Sequence, residues 1–132
     1  MTVFLDTVGL IALWDESDQW HSAAEEAFGR LAQARAVLVT TPWVLAETAN
    51  AAARRSYRQS VARLWEGMKG SSRLLATSSE ELNEAWQAYA RGEAGGAGLV
   101  DQISFLAMRR LNLRDAFTND AHFRAAGFNT LF

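Results

Sequence analysis

The sequence predicts an α/β fold in which a parallel sheet is covered by helices on both faces. Short apolar runs rich in Val, Phe and Leu alternate along the chain with longer stretches whose apolar residues recur at helical spacing. With 132 residues, 49% of them hydrophobic and 21% charged, the chain has the size of one domain and enough apolar material for a core. No repeat, low-complexity tract or linker divides it, so a single domain over residues 1–132 is expected.

Thr2 to Leu5 is too short for a helix and reads as a central strand that ends at Asp6. Gly9 to Trp14 follows as an apolar helix, and the acidic run Asp15 to Gln19 makes a turn. His21 to Ala34 is amphipathic, with Ala24, Phe28 and Leu31 or Ala32 inward and Glu25, Glu26 and Arg30 outward. Ala36 to Val39 is a second strand. Thr41-Pro42 then starts a helix, Thr as N-cap and Pro at the first helical position; it runs into the Arg54-Arg55 region with Val44, Leu45 and Ala49 inward. A further helix from Ser56 carries Val61, Leu64, Trp65 and Met68 and ends between Gly67 and Gly70. Leu74 to Ala76 is expected to be a third strand, and Ser78 with Glu81 has the form of a capping box opening a helix through Leu82, Trp86 and Tyr89.

A glycine-rich loop (Gly92, Gly95, Gly96, Gly98) leads into the helix Leu99 to Leu111, which carries Asp101 in its first turn. Ala116 to Thr118 reads as a fourth strand, and a helical turn from Asn119-Asp120 carries His122, Phe123 and Ala126 to Gly127. In parallel α/β sheets, loops and helix N-termini converge at the C-terminal edge of the strands, and Asp120 is expected there.

No apolar run approaches a membrane span and no basic region precedes the first strand as a secretory signal requires, so a cytoplasmic protein is the expectation. Without cysteine there are no disulfides, thiolate zinc sites or cysteine nucleophile. The net charge of -2 argues against a generic nucleic-acid binder, but twelve of the 13 basic residues are arginines, and Arg54, Arg55, Arg58 and Arg63 cluster. With Asp6, Glu47, Asp101 and Asp120 counted as site groups, 11 acidic residues face 13 basic ones, a mildly cationic remainder.

Those four carboxylates stand at element ends that only folding brings together. Asp and Glu oxygens suit Mg²⁺ or Mn²⁺, and such ions activate water and stabilise leaving oxygens, which points to phosphodiester cleavage. Asp6 carries the strongest case, because a carboxylate at the end of a buried strand is costly without a partner. For Asp101 the competing reading is a helix-start residue favoured by the helix dipole, and for Glu47 an ordinary early-turn Glu. Asp115 is read as a solvated turn residue ahead of the strand, and His122 and His21 as surface histidines. Trp65 and Trp86 fit core stripes; Trp14, Trp20 and Trp43 are read as core packing or a partner groove.

FLDT at Phe4 to Thr7, LAET at Leu45 to Thr48, LVDQISF at Leu99 to Phe105 and FTNDAHF at Phe117 to Phe123 resemble, together and in order, the PIN-domain ribonucleases, and among them the VapC toxins of bacterial toxin-antitoxin pairs. The resemblance spans nearly the whole chain. It implies an α/β/α sandwich, a site binding Mg²⁺ or Mn²⁺, endonucleolytic cleavage of RNA, a homodimer and a small antitoxin partner. It maps Asp6, Glu47, Asp101 and Asp120 onto the family's acidic quartet and Thr118 onto the polar residue beside it; Thr7 and Thr118 are expected to hydrogen-bond the carboxylates. Arg54, Arg55 and Arg58 are candidates for contacts with RNA phosphates or acidic antitoxin residues, against a solvated helical face. The family often has Ser or Asn behind the first Asp and Ser before the third motif, where this chain has Val8, Gly9 and Gly98; each change removes possible hydrogen bonds. Rival readings are a stand-alone PIN nuclease without an antitoxin, a catalytically inactive PIN-fold module binding RNA or protein, and a phosphatase or phosphotransferase using Asp6, the last weakened because the only lysine is Lys69.

Overall fold

The computed structural model describes all 132 residues. Its sheet contains β1 (Thr2–Leu5), β2 (Val37–Val39), β3 (Asp115–Phe117) and β4 (Asn129–Thr130), all parallel and ordered β2-β1-β3-β4. The helices are α1 (Thr7–Trp14), α2 (His21–Gln33), α3 (Pro42–Ala51), α4 (Arg58–Met68), α5 (Ser79–Ala90), α6 (Glu93–Gly96), α7 (Leu99–Arg110) and α8 (Ala121–Ala125). No helix is long and apolar enough to cross a membrane.

The expected strand at Leu74 to Ala76 does not form. Thr40 N–H donates to Arg73 O at 3.1 Å and Leu75 N–H to Thr40 O at 2.8 Å, a single bridge beside β2 that goes no further. The fourth strand is instead β4, whose polar Asn129-Thr130 carries no apolar pattern. Asp115 also departs from expectation: it is the first residue of β3, opposite Val3 and Asn129, and its Oδ1 accepts from Asn129 Nδ2 at 3.0 Å.

β1 is central, and Val3, Phe4 and Leu5 are buried as its apolar run requires. The rings of Phe105 and Phe123 meet edge to face with centroids 4.9 Å apart, joining α7 and α8 over the sheet. Each buried Phe of this kind contributes about 1.5–3 kcal/mol. Helix starts follow the sequence signals. Thr41 Oγ1 accepts from Val44 N–H at 3.2 Å, and the Ser78–Glu81 capping box closes in both directions. Trp65 and Trp86 are not core residues: they are 42% and 51% exposed. Ala49 likewise lines an open groove between α3 and α4 rather than the core. α5 packs against α7 and has Ala85 as its one buried residue.

Register places the site. Leu5 is paired with Phe117, so the residues that follow, Asp6 and Thr118, leave the sheet side by side at its C-terminal edge. α1 must then pass close over the end of β3. A Cβ on Gly9 would lie 1.9 Å from the Phe117 carbonyl oxygen, so no larger residue fits there and the departure from Ser or Asn at this point has a steric cause.

Candidate active site

Asp6 occupies the position before α1 but its side chain makes no cap bond there. It is 1% exposed. Thr118 Oγ1 donates to its Oδ2 at 2.9 Å, whereas Oδ1 has no hydrogen-bond partner at all. A buried carboxylate oxygen without a donor costs several kcal/mol if charged and unpaired. Burial pushes the Asp6 pKa up to about 7, with the charges of Asp101 and, more weakly, Asp120 adding to it; the Thr118 hydroxyl and the Thr7 backbone N–H pull the other way.

Asp101 lies half-buried in the first turn of α7, again without capping it. Its pKa is raised to about 6, first by burial, then by the charges of Asp120 and Glu47, against a smaller opposing effect of His122. Asp120 caps α8: its Oδ1 accepts from His122 N–H at 2.8 Å, and its own N–H donates to Thr118 Oγ1 at 3.1 Å. The Thr118 hydroxyl thus ties the Asp6 carboxylate to the backbone at Asp120. Glu47 is exposed in α3, near enough for its charge to be felt at Asp101.

The fold therefore gathers the four sequence-predicted carboxylates at one edge of the sheet, where the charges of Asp101 and Asp120 are felt at Asp6 and Glu47 stands at the rim. They do not form a closed cage, since no three such side chains stand together at ligating distance. A hard cation that keeps several waters, as Mg²⁺ does, needs fewer protein ligands than one that requires a full protein shell.

Residues 3–129 match the PIN domain. The chain belongs to the PIN-domain family. Two relatives, the 23S rRNA-specific endonuclease VapC20 of two Mycobacterium tuberculosis strains, are each 29% identical to this PIN domain over 127 residues, covering 96% of this chain and 95% of theirs. The crystal structure of Mycobacterium tuberculosis VapC20, a sarcin-ricin loop cleaving toxin, matches with a TM-score of 0.79 at 27% identity, and the match covers 96% of both chains. The PIN α/β/α sandwich expected from the sequence is the fold observed.

Other expectations are redistributed. The Thr7 hydroxyl does not reach a carboxylate; it donates to Val44 O at 3.4 Å and accepts from Thr48 Oγ1 at 3.3 Å, tying α1 to α3. Arg55 is held by Asp15 at 2.6 Å, and Arg58 donates to Ala53 O at 2.9 Å, while Arg54 is exposed. His122 is not the surface histidine expected. It is half-buried, and its Nδ1 lies 3.0 Å from Ala94 O, linking α8, which follows Asp120, to the turn that precedes α7 and Asp101. Ala94 there has a left-handed φ of 55°, the kind of backbone that tertiary contacts must hold in place. Only the glycines around it hinted at that conformation.

Proposed function

We propose that this PIN domain is an endoribonuclease of the VapC toxin type and that Asp6, Glu47, Asp101 and Asp120 form its active site with Mg²⁺ or Mn²⁺. The observation that carries the reading is Asp6 Oδ1, buried, without a donor, and facing the charges of two further carboxylates. Near neutrality such a group either holds a proton or, once ionised, is stabilised by a bound cation. Asp6 and Asp101 are the residues to hold it, with Asp120 contributing directly or through water and Glu47 orienting the attacking water or holding a second ion. When bound, a divalent cation lowers the pKa of a bound water and stabilises charge on the phosphate oxygens.

The chain's own residues do the positioning. Thr118 fixes Asp6 by donating to Oδ2 and fixes the start of α8 by accepting from the Asp120 backbone. The raised pKa values of Asp6 and Asp101 give both groups a protonated form near neutrality, so cation binding releases protons and strengthens as pH rises. The resemblance to VapC toxins further supports a homodimer, a small antitoxin that blocks the acidic site, and action in the cytoplasm.

Because the relatives are named for 23S rRNA and the sarcin-ricin loop, that RNA is the first substrate to test. Purified protein is incubated with intact ribosomes, with an oligonucleotide of that loop and with total RNA in Mg²⁺ or Mn²⁺, and new RNA ends are mapped. Discrete new ends support the proposal. Intact RNA in every arm, from protein free of any bound inhibitor, overturns it.

A further inference from the structure

The tryptophans of this chain do not all have a structural purpose. Trp14 packs against the core, Trp65 lines the groove between α3 and α4, and Trp86 meets Tyr89 edge to face at 5.6 Å. Trp20 lies just before α2, at the far end of α1 from the carboxylates. Trp43 differs from all of these. It is the second residue of α3, 38% exposed, and pairs with no aromatic ring. It stands one turn before Glu47, and side chains four apart share a helix face. Val44, Leu45 and Thr48 supply the buried face of α3, so Trp43 and Glu47 form an exposed stripe beside it.

That stripe starts at the sheet edge that carries the acidic site: Thr40, two residues before α3, donates to the Leu5 carbonyl next to Asp6, α3 packs against α7, and the Glu47 charge acts on Asp101. The indole is also held on a rigid mount. Thr41 caps the helix start, Pro42 fixes the first turn, and the Thr7 hydroxyl bonds Val44 O from the neighbouring helix. An RNA approaching this edge meets carboxylates; of the arginines that follow α3, Arg55 is paired with Asp15, Arg58 donates to the neutral Ala53 O and keeps its charge, and Arg54 is exposed. Affinity for the strand beside four carboxylates gains from a contact that does not depend on charge, and a flat apolar ring at the rim supplies one.

Resting on the nuclease reading above, we propose that Trp43 is a stacking platform that binds one unpaired base of the RNA substrate beside the acidic site. Stacking of a base on an aromatic ring is tolerant of base identity and requires an unstacked nucleotide, so this subsite selects single-stranded or looped RNA over duplex. Trp43 is on this account a specificity-determining residue that positions the strand and takes no part in the bond-breaking step.

The test uses the full-length wild type with Trp43→Phe and Trp43→Leu, each first checked for folding by circular dichroism. Binding of a fluorescein-labelled single-stranded RNA is followed by anisotropy in Ca²⁺, and cleavage of the same RNA in Mg²⁺ or Mn²⁺. Both are repeated on a series in which one abasic nucleotide is walked along the strand. Loss of a stacked base costs roughly 5- to 100-fold in affinity. Trp43→Leu is expected to weaken binding by about that factor and to raise KM more than it lowers kcat, while Trp43→Phe retains most of the binding. One abasic position should weaken the wild type and leave Trp43→Leu unaffected. If wild type cleaves RNA and Trp43→Leu binds every strand as well as wild type does, or loses the same factor on every abasic strand, the stacking platform is overturned and the nuclease stands. A wild type that neither binds nor cleaves any RNA overturns both.

Discussion

The buried Asp6 makes an unusual pH dependence for a protein carboxylate. Most native carboxylates are stabilised when ionised, so stability rises with pH; Asp6 has a pKa raised from 3.8 to about 7, and the sign reverses. Between those values the folded chain binds a proton that the unfolded chain has released, and stability falls as pH rises through the window. It is fully present below the unfolded pKa and lost above the folded one. Applied between pH 5 and pH 8, the shift corresponds to about 2–3 kcal/mol of lost stability, or a fall in Tm of about 10 °C for a domain of this size. Asp101, raised to about 6, adds in the same direction. Asp6→Asn removes the titration but leaves an amide in a site with one hydroxyl partner, a penalty of about 1–3 kcal/mol that is independent of pH. The variant is therefore expected to match or fall below wild type at pH 5, to gain relative to it by pH 8, and to have a flatter profile. Urea unfolding in EDTA across that range measures both profiles. A wild type that is as stable at pH 8 as at pH 5, or an Asp6→Asn profile with the same slope, refutes the reasoning.

Thr118→Val removes the donor to Asp6 and the acceptor for the Asp120 N–H, and should destabilise by about 1–3 kcal/mol. Because the lost bond favours ionised Asp6, the loss measured by urea unfolding should be greater at pH 8 than at pH 5. Gly9→Ala drives a methyl group into the Phe117 carbonyl; the expected cost is about 3 kcal/mol or more, read as a large fall in Tm with no recovery on adding metal. His122→Ala breaks the link to Ala94 O and should cost about 0.5–1.5 kcal/mol. Hydrogen exchange should then quicken in residues 93–98 while β1 stays protected, and uniform quickening would contradict a local role. Adding Mg²⁺ or Mn²⁺ at neutral pH should raise the Tm of wild type and leave that of Asp6→Asn unchanged, as thermal unfolding would reveal.

Much of this architecture was legible because it rests on local chemistry. The apolar run Thr2 to Leu5, the Thr41-Pro42 start and the Ser78–Glu81 box each specify their element within a few residues. The four carboxylates could be named because each stands at an element end, but the bond that organises them joins Thr118 to Asp6 across 112 residues and depends on the pairing of Leu5 with Phe117. No local pattern encodes that register. β4 has no sequence signal because two polar residues carry no periodicity, and Leu74 to Ala76 forms no strand because apolar character alone does not supply a ladder partner. Trp65 and Trp86 sit at helical spacing from true core residues, yet the faces they occupy extend past the neighbouring elements into solvent. Gly9 looked like a missing hydrogen-bonding residue and is a point of close approach instead, visible only once α1 is set over β3.

The central claim is that these carboxylates cut RNA with a divalent cation, and its most direct test is cleavage by purified wild type, Asp6→Asn and Asp101→Asn in Mg²⁺, Mn²⁺ or EDTA. Wild type should cleave in metal and not in EDTA, and both variants, shown to be folded, should lose cleavage at least 100-fold, on the order expected for removing an essential electrostatic group. Cleavage that persists in EDTA, or variants that cut as fast as wild type, would contradict the account.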